Sequence, residues 1–187
     1  MKARDIPNLI CIVRILLVPP VVVLMLGREF ALALLLFAIA GASDGLDGYL
    51  ARRFDWRSRL GSILDPLADK LLMAASYITL GWLTLLPWWL VVLVLGRDVV
   101  IIAGSVAFHR YVSDIELAPS RISKANTLLQ ILLVLLVMGM MVGLSLPSDT
   151  VSALIALVTA TTLLSGGHYV WSWSRLAIEI KGKQGNE

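Results

Sequence analysis

Six blocks of almost uninterrupted apolar residues, at about 8–26, 30–51, 62–86, 88–108, 122–144 and 151–173, take up nearly all of a 187-residue chain. Each is close to the roughly 20 residues that an α-helix needs to cross the hydrocarbon of a bilayer. In hydrocarbon a backbone must satisfy its own N–H and C=O groups, so blocks of this length fold as helices. The expectation is an all-α integral membrane bundle of six transmembrane helices, forming a single domain over residues 1–187. At 58% hydrophobic residues and a mean hydropathy of +0.85, the chain leaves no stretch over for a soluble domain.

The first block has the look of a secretory signal, since Lys2 and Arg4 precede it. Arg14 and Pro19-Pro20 interrupt it, however, and no small-x-small cleavage site follows, so it reads as a retained helix. The lone Cys11 excludes an internal disulfide and a cysteine metal cluster.

The cations fall at alternate ends of the blocks. Lys2 and Arg4, then Arg52, Arg53, Arg57 and Arg59, then Arg110, Arg121 and Lys124, then Arg175, Lys181 and Lys183 share one side, against Arg28 alone on the other. By the positive-inside bias both termini are cytoplasmic, and a short chain with no organellar presequence is expected in a bacterial or archaeal inner (cytoplasmic) membrane. The net charge of +3 is therefore a topology signal that also suits anionic membrane lipids. Nothing in the chain points to nucleic acid.

One stretch breaks the apolar pattern. Residues 43–70, SDGLDGYLARRFDWRSRLGSILDPLADK, carry five of the thirteen acidic residues. Asp44, Asp47, Gly48, Ala51 and Arg52 lie at i, i+3, i+4, i+7 and i+8, one stripe of a helix. Gly61, Asp65 and Asp69 are spaced by four, and share a face if a helix has begun there; Pro66 calls for a helix start or a kink near Asp65. A single Asp at a cytoplasmic helix end is commonly no more than solvated. Two face-matched pairs are different, because four carboxylates brought together repel and tend to protonate unless cations neutralise them. All-oxygen ligation suits Mg²⁺, Mn²⁺ or Ca²⁺, and a pair of such ions about 4 Å apart serves phosphorus chemistry. Gly48 and Gly61 leave room for a ligand against the backbone, and Arg52 offers a fork for a diphosphate. The substrate implied is a phosphoanhydride presented at the membrane face.

These residues resemble the signature of the CDP-alcohol phosphotransferases, D-x2-D-G-x2-A-R-x8-G-x3-D-x3-D, with Asp44, Asp47, Gly48, Ala51, Arg52, Gly61, Asp65 and Asp69 filling every fixed position. The resemblance implies a membrane enzyme, usually a homodimer, that transfers a phosphatidyl-type group from a CDP-linked donor to an alcohol and releases CMP. It makes Asp44, Asp47, Asp65 and Asp69 the ligands of two Mg²⁺ or Mn²⁺ ions, with Asp69 also the general base. Gly48, Ala51, Arg52 and Gly61 would hold the CDP moiety of CDP-diacylglycerol.

The second half bears on the acceptor. Phosphatidylglycerophosphate synthases tend to show R-E and then G-K-x-K-T, where this chain has Arg97-Asp98 and Ser123-Lys124-Ala125-Asn126-Thr127. Asn126 thus stands where a lysine could help bind the phosphate of glycerol 3-phosphate. These segments, with LGSILDPLADK, are more similar to the CMP-forming cardiolipin synthase branch, whose acceptor is phosphatidylglycerol. Arg97, Arg121 and Lys124 are the acceptor-binding candidates in either case. For Arg97 the competing reading is a salt bridge with Asp98. Two non-enzymatic rivals are a divalent-cation transporter and a scaffolding bundle. A transporter would place its carboxylates near the bilayer midplane on broken helices, whereas these lie toward one end.

Overall fold

The computed structural model describes the backbone of residues 6–54, 61–111 and 121–184, and the side chains of 10–43, 67–104 and 122–172 apart from 148 and 170. Six helices account for this backbone: α1 (Ile6–Leu26), α2 (Phe30–Phe54), α3 (Gly61–Trp82), α4 (Trp88–Tyr111), α5 (Arg121–Met141) and α6 (Ser148–Gln184). No strand occurs among the described residues. The all-helical expectation holds, and each expected block contains one helix.

Where the blocks and helices differ, the turns say why. After α1, Arg28 takes a left-handed conformation at φ 61°, and the Glu29 amide closes back on the Leu24 carbonyl at 2.8 Å. That is a helix C-cap of the kind glycine usually makes. α3 stops at Trp82 rather than running to 86, because Thr84 is also left-handed at φ 59° and the Leu85 amide turns back to the Leu80 carbonyl at 2.9 Å. Pro87 follows, which cannot donate to a continuing helix. α5 ends at Met141, short of 144, at a Gly143 of φ 105°, with Leu144 N–H on the Gly139 carbonyl at 3.0 Å. α6 is longer than expected. Its 37 residues span about 55 Å at the helical rise, well beyond a hydrocarbon core of roughly 30 Å.

The chain divides into two compact units, Met1–Pro87 with Val134–Pro147, and Trp88–Leu133 with Ser148–Glu187. In the first, α1 packs along both α2 and α3, which also touch each other. Its interior includes Cys11, Val21 and Met25 of α1, Phe30, Ala33, Phe37 and Ala40 of α2, and Leu72, Met73, Tyr77 and Leu80 of α3. The buried hydroxyls of Ser76 and Thr79 are satisfied within α3, donating to the carbonyls of Leu72 at 2.8 Å and Ala75 at 2.7 Å. In the second unit α4 packs against α6, over Leu90, Val91 and Val94 on one side and Leu154 and Val158 on the other.

The exteriors are as apolar as the interiors. Leu16, Val23, Val92, Leu128 and Leu164 are each more than 60% exposed, a surface that suits hydrocarbon and not water. Two segments have both the length and the hydropathy of a membrane span, Ile122–Met141 and Asp149–Tyr169, with mean hydropathies of 1.7 and 1.6. Within the residues whose side chains are described, α1 and α2 contribute the apolar stretches Ile10–Leu26 and Phe30–Ser43. Along the sequence, α2 continues past Ser43 through Asp44 and Asp47, α3 carries Asp65, Asp69 and Lys70, and α4 carries Arg97 and Asp98. Of the six expected spans, two thus meet both criteria among the described residues.

Candidate active site

The signature aspartates sit on two helices of the first unit. α2 is continuous through Asp44, Asp47, Gly48, Ala51 and Arg52, so their spacing is realised on helical backbone. α3 begins at Gly61 and carries Asp65 and Asp69 in its first turns. Pro66 is the sixth residue of that helix, so the helix starts before it and the Ser62 carbonyl goes without one hydrogen bond in the second turn.

The register of the buried residues gives these positions their meaning. Along α2 the buried side chains are Phe30, Ala33, Phe37 and Ala40, a strict alternation of three and four. Continued in the same register, it falls on Asp44, Asp47 and Ala51. Asp44, Asp47 and Ala51 thus occupy, on the helical backbone of α2, the positions at which this spacing recurs. On α3, Asp69 is half-buried beside the buried Ala68 and one turn before Leu72 and Met73. The side chains of Asp44, Asp47, Gly48, Ala51, Arg52, Gly61 and Asp65 lie outside the described residues. A donor set made wholly of carboxylate oxygen, carried on two touching helices, would suit a pair of hard divalent cations such as Mg²⁺ or Mn²⁺.

α1 adds a cation to this unit. Arg14 is 1% exposed, on the same stripe as Cys11, Val21 and Met25.

The second unit holds a separate polar cluster. Arg97 of α4 is 7% exposed, and its Nη1 donates to the Asp98 carboxylate at 2.7 Å. Neighbouring residues on a helix normally point apart, so this pairing requires the long arginine side chain to fold back on its own helix. Arg97 Nη2 donates to the hydroxyl of Ser123 on α5 and to that of Ser165 on α6, the latter at 2.7 Å. The competing reading of Arg97, a salt bridge with Asp98, is thus present in the structure. Of the other acceptor candidates, Lys124 is exposed on α5, and the side chain of Arg121, the first residue of α5, lies outside the described residues.

Asn126, one turn along α5 from Ser123, is fully buried. Its Oδ1 meets the adjacent hydroxyls of Thr161 and Thr162 on α6 at 2.8 and 2.9 Å, while its Nδ2 has no partner among the described residues. Thr161 has one proton and also faces its own-helix Leu157 carbonyl at 2.9 Å. An amide turned through 180° would let the NH₂ donate to both hydroxyls and leave that proton to Leu157. Sequence reasoning treated Asn126 as a missing cation and passed over Thr161, Thr162 and Ser165. The available signal was a polar stripe, Ser123, Asn126 and Gln130 on α5 facing Thr162 and Ser165 on α6, inside otherwise apolar helices. Beside it, an apolar cavity of about 420 Å³ between α4 and α6 is lined by Val92, Gly96, Arg97, Thr162, Gly166 and Gly167 among others.

The sequence model of the CDP-alcohol phosphatidyltransferases matches residues 4–173, and the chain belongs to that family. It is similar to the CMP-forming cardiolipin synthase of Homo sapiens, with 39% identity over 146 residues, 69% of this chain and 48% of that protein. The CMP-forming cardiolipin synthase of Streptomyces coelicolor is 39% identical over 118 residues, 59% of this chain and 55% of its own. A cardiolipin synthase and mitochondrial hydrolase fusion protein of Schizosaccharomyces pombe is 37% identical over 182 residues, 87% of this chain and 30% of the fusion. The chain spans about half the length of most of these curated relatives.

Proposed function

We propose that this protein is a phosphatidyltransferase of phospholipid synthesis that moves the phosphatidyl group of CDP-diacylglycerol to phosphatidylglycerol, giving cardiolipin and CMP. It works as one catalytic domain, a homodimer of six-span chains in the inner membrane, with both termini and the site on the cytoplasmic side. The observation that supports this reading is that α2 and α3 carry the aspartates on helical backbone at the spacing of the family signature, with Asp69 half-buried. The names of the relatives support the choice of acceptor.

Asp44, Asp47, Asp65 and Asp69 are the residues that would hold two Mg²⁺ or Mn²⁺ ions. When bound, such ions stabilise negative charge on the attacking and leaving oxygens of a phosphoryl displacement. Asp69, half-buried on α3, takes the proton of the acceptor hydroxyl. The hydroxyl oxygen forms a bond to the lipid-bearing phosphorus as the bond to CMP breaks, and CMP leaves with the electron pair. Gly48, Ala51 and Gly61 keep the backbone open to the nucleotide, and Arg52 pairs with its diphosphate. Arg97, Arg121 and Lys124 are retained as acceptor residues, with Arg97 acting from within its cluster with Asp98, Ser123 and Ser165.

Product analysis on purified protein given CDP-diacylglycerol and either phosphatidylglycerol or glycerol 3-phosphate tests the proposal. Cardiolipin and CMP are expected from the first pair. Phosphatidylglycerophosphate from the second pair alone would transfer the assignment to the soluble acceptor, and no CMP from either would return the chain to the transporter or scaffold reading.

A further inference from the structure

Arg14 is a guanidinium at 1% exposure in the middle of an apolar helix. Moving a cation out of water costs several kcal/mol unless an anion accompanies it, and in a membrane helix such a charge is held by a partner or a polar cavity. The helices of this unit carry few anions. α1 has no acidic residue, α2 has only Asp44 and Asp47, α3 has only Asp65 and Asp69, and the 134–147 segment that completes the unit has none. The acidic residues carried by the helices of this unit are thus the signature aspartates.

Level along the helices agrees. α1 and α2 are packed neighbours joined by a three-residue turn, hence antiparallel. Arg14 lies twelve residues before the end of α1 and Asp44 fourteen after the start of α2, about 18 and 21 Å from that turn at 1.5 Å per residue. Counted from the other end, Arg14 and Asp69 are each eight residues into their helices, about 12 Å. Face agrees as well, since Arg14 shares the buried stripe of α1 and the register of buried α2 positions continues onto Asp44 and Asp47.

We propose that Arg14 is the built-in counter-charge of the aspartate cluster, a positioning residue that acts through the carboxylates. Before divalent cations arrive, its fixed positive charge offsets part of the negative charge that the four carboxylates bring together. Once two divalent ions balance the four carboxylates, the Arg14 charge remains in excess and favours the anionic diphosphate of the donor. This role rests on the assignment of the aspartates as a metal site that acts on a CDP-linked donor.

Two measurements on the detergent-purified full chain test it: the Mn²⁺ dissociation constant by calorimetry, and the KM for CDP-diacylglycerol by CMP release. In Arg14→Gln the Mn²⁺ constant tightens by about tenfold, because a like charge has gone, while the donor KM rises by about tenfold. Arg14→Lys keeps the charge and holds both constants within about threefold of wild type. A residue that only held the fold together would weaken both together, and that result, unchanged constants in Arg14→Gln, or an Arg14→Lys as impaired as Arg14→Gln, overturns the proposal. The rise in melting temperature that Mn²⁺ produces gives the same reading for a variant of lowered starting stability. Wild-type protein that binds Mn²⁺ but releases no CMP contradicts the enzymatic reading instead, and leaves the metal arm to decide the role of Arg14.

Discussion

The guanidinium of Arg97 on α4 donates through Nη2 to the hydroxyl of Ser165 on α6 at 2.7 Å, while Nη1 holds Asp98 at the same distance. One buried side chain thereby ties two helices that otherwise meet through Leu, Val and glycine, and a third through Ser123. Removing one member of a buried ion pair leaves the other charge uncompensated, at a cost of about 3–5 kcal/mol. Arg97→Met is expected to lose about that much stability in detergent unfolding. Ser165→Ala removes only one hydroxyl contact and should lose about 1 kcal/mol.

Asn126 with Thr162 makes a second test of the same unit. Their 2.9 Å contact is fully buried, so a double-mutant cycle with Asn126→Ala and Thr162→Val should give a coupling of about 1 kcal/mol. Asn126→Lys places an ammonium among two hydroxyls where nothing is exposed. The outcome expected is a sharp fall in folded yield, with no gain in glycerol 3-phosphate turnover.

For Asp69→Asn, CMP release should fall by about 10²–10⁴, the range that a general base contributes. The protein should still fold and bind CDP-diacylglycerol. Chelation of divalent ions from wild type should abolish release reversibly, with activity restored by Mg²⁺ or Mn²⁺.

Two glycines separate conformational need from empty space. A Cβ at Gly96 would meet nothing within 4 Å, so Gly96→Ala should raise stability by about 1 kcal/mol through helix propensity alone. Gly143 also has open space around it but sits at φ +105°. Gly143→Ala should therefore destabilise by about 1–2 kcal/mol, and thermal unfolding of the pair checks both signs.

Much of this was legible in the residues. Apolar blocks alone place all six helices, because backbone in hydrocarbon has few other options, and the spacing of Asp44, Asp47, Asp65 and Asp69 marks a candidate site before any fold is known. The helix ends were less legible. Thr84 and Arg28 cap helices in a left-handed conformation that nothing in their side chains announces. The Asn126, Thr161 and Thr162 contact was not legible at all, since it joins residues 35 and 36 positions apart whose meeting depends on how α5 and α6 pack. The helical register that links Asp44 to Phe30, Ala33, Phe37 and Ala40 became readable only from the burial along α2.

The account turns on four carboxylates meeting around divalent ions, and Mn²⁺ titration of the purified chain by calorimetry tests this most directly. Saturable uptake of two ions per chain is predicted, falling to one or none when Asp44 or Asp69 is replaced by asparagine. No saturable uptake by wild type, or uptake indifferent to both substitutions, would contradict it.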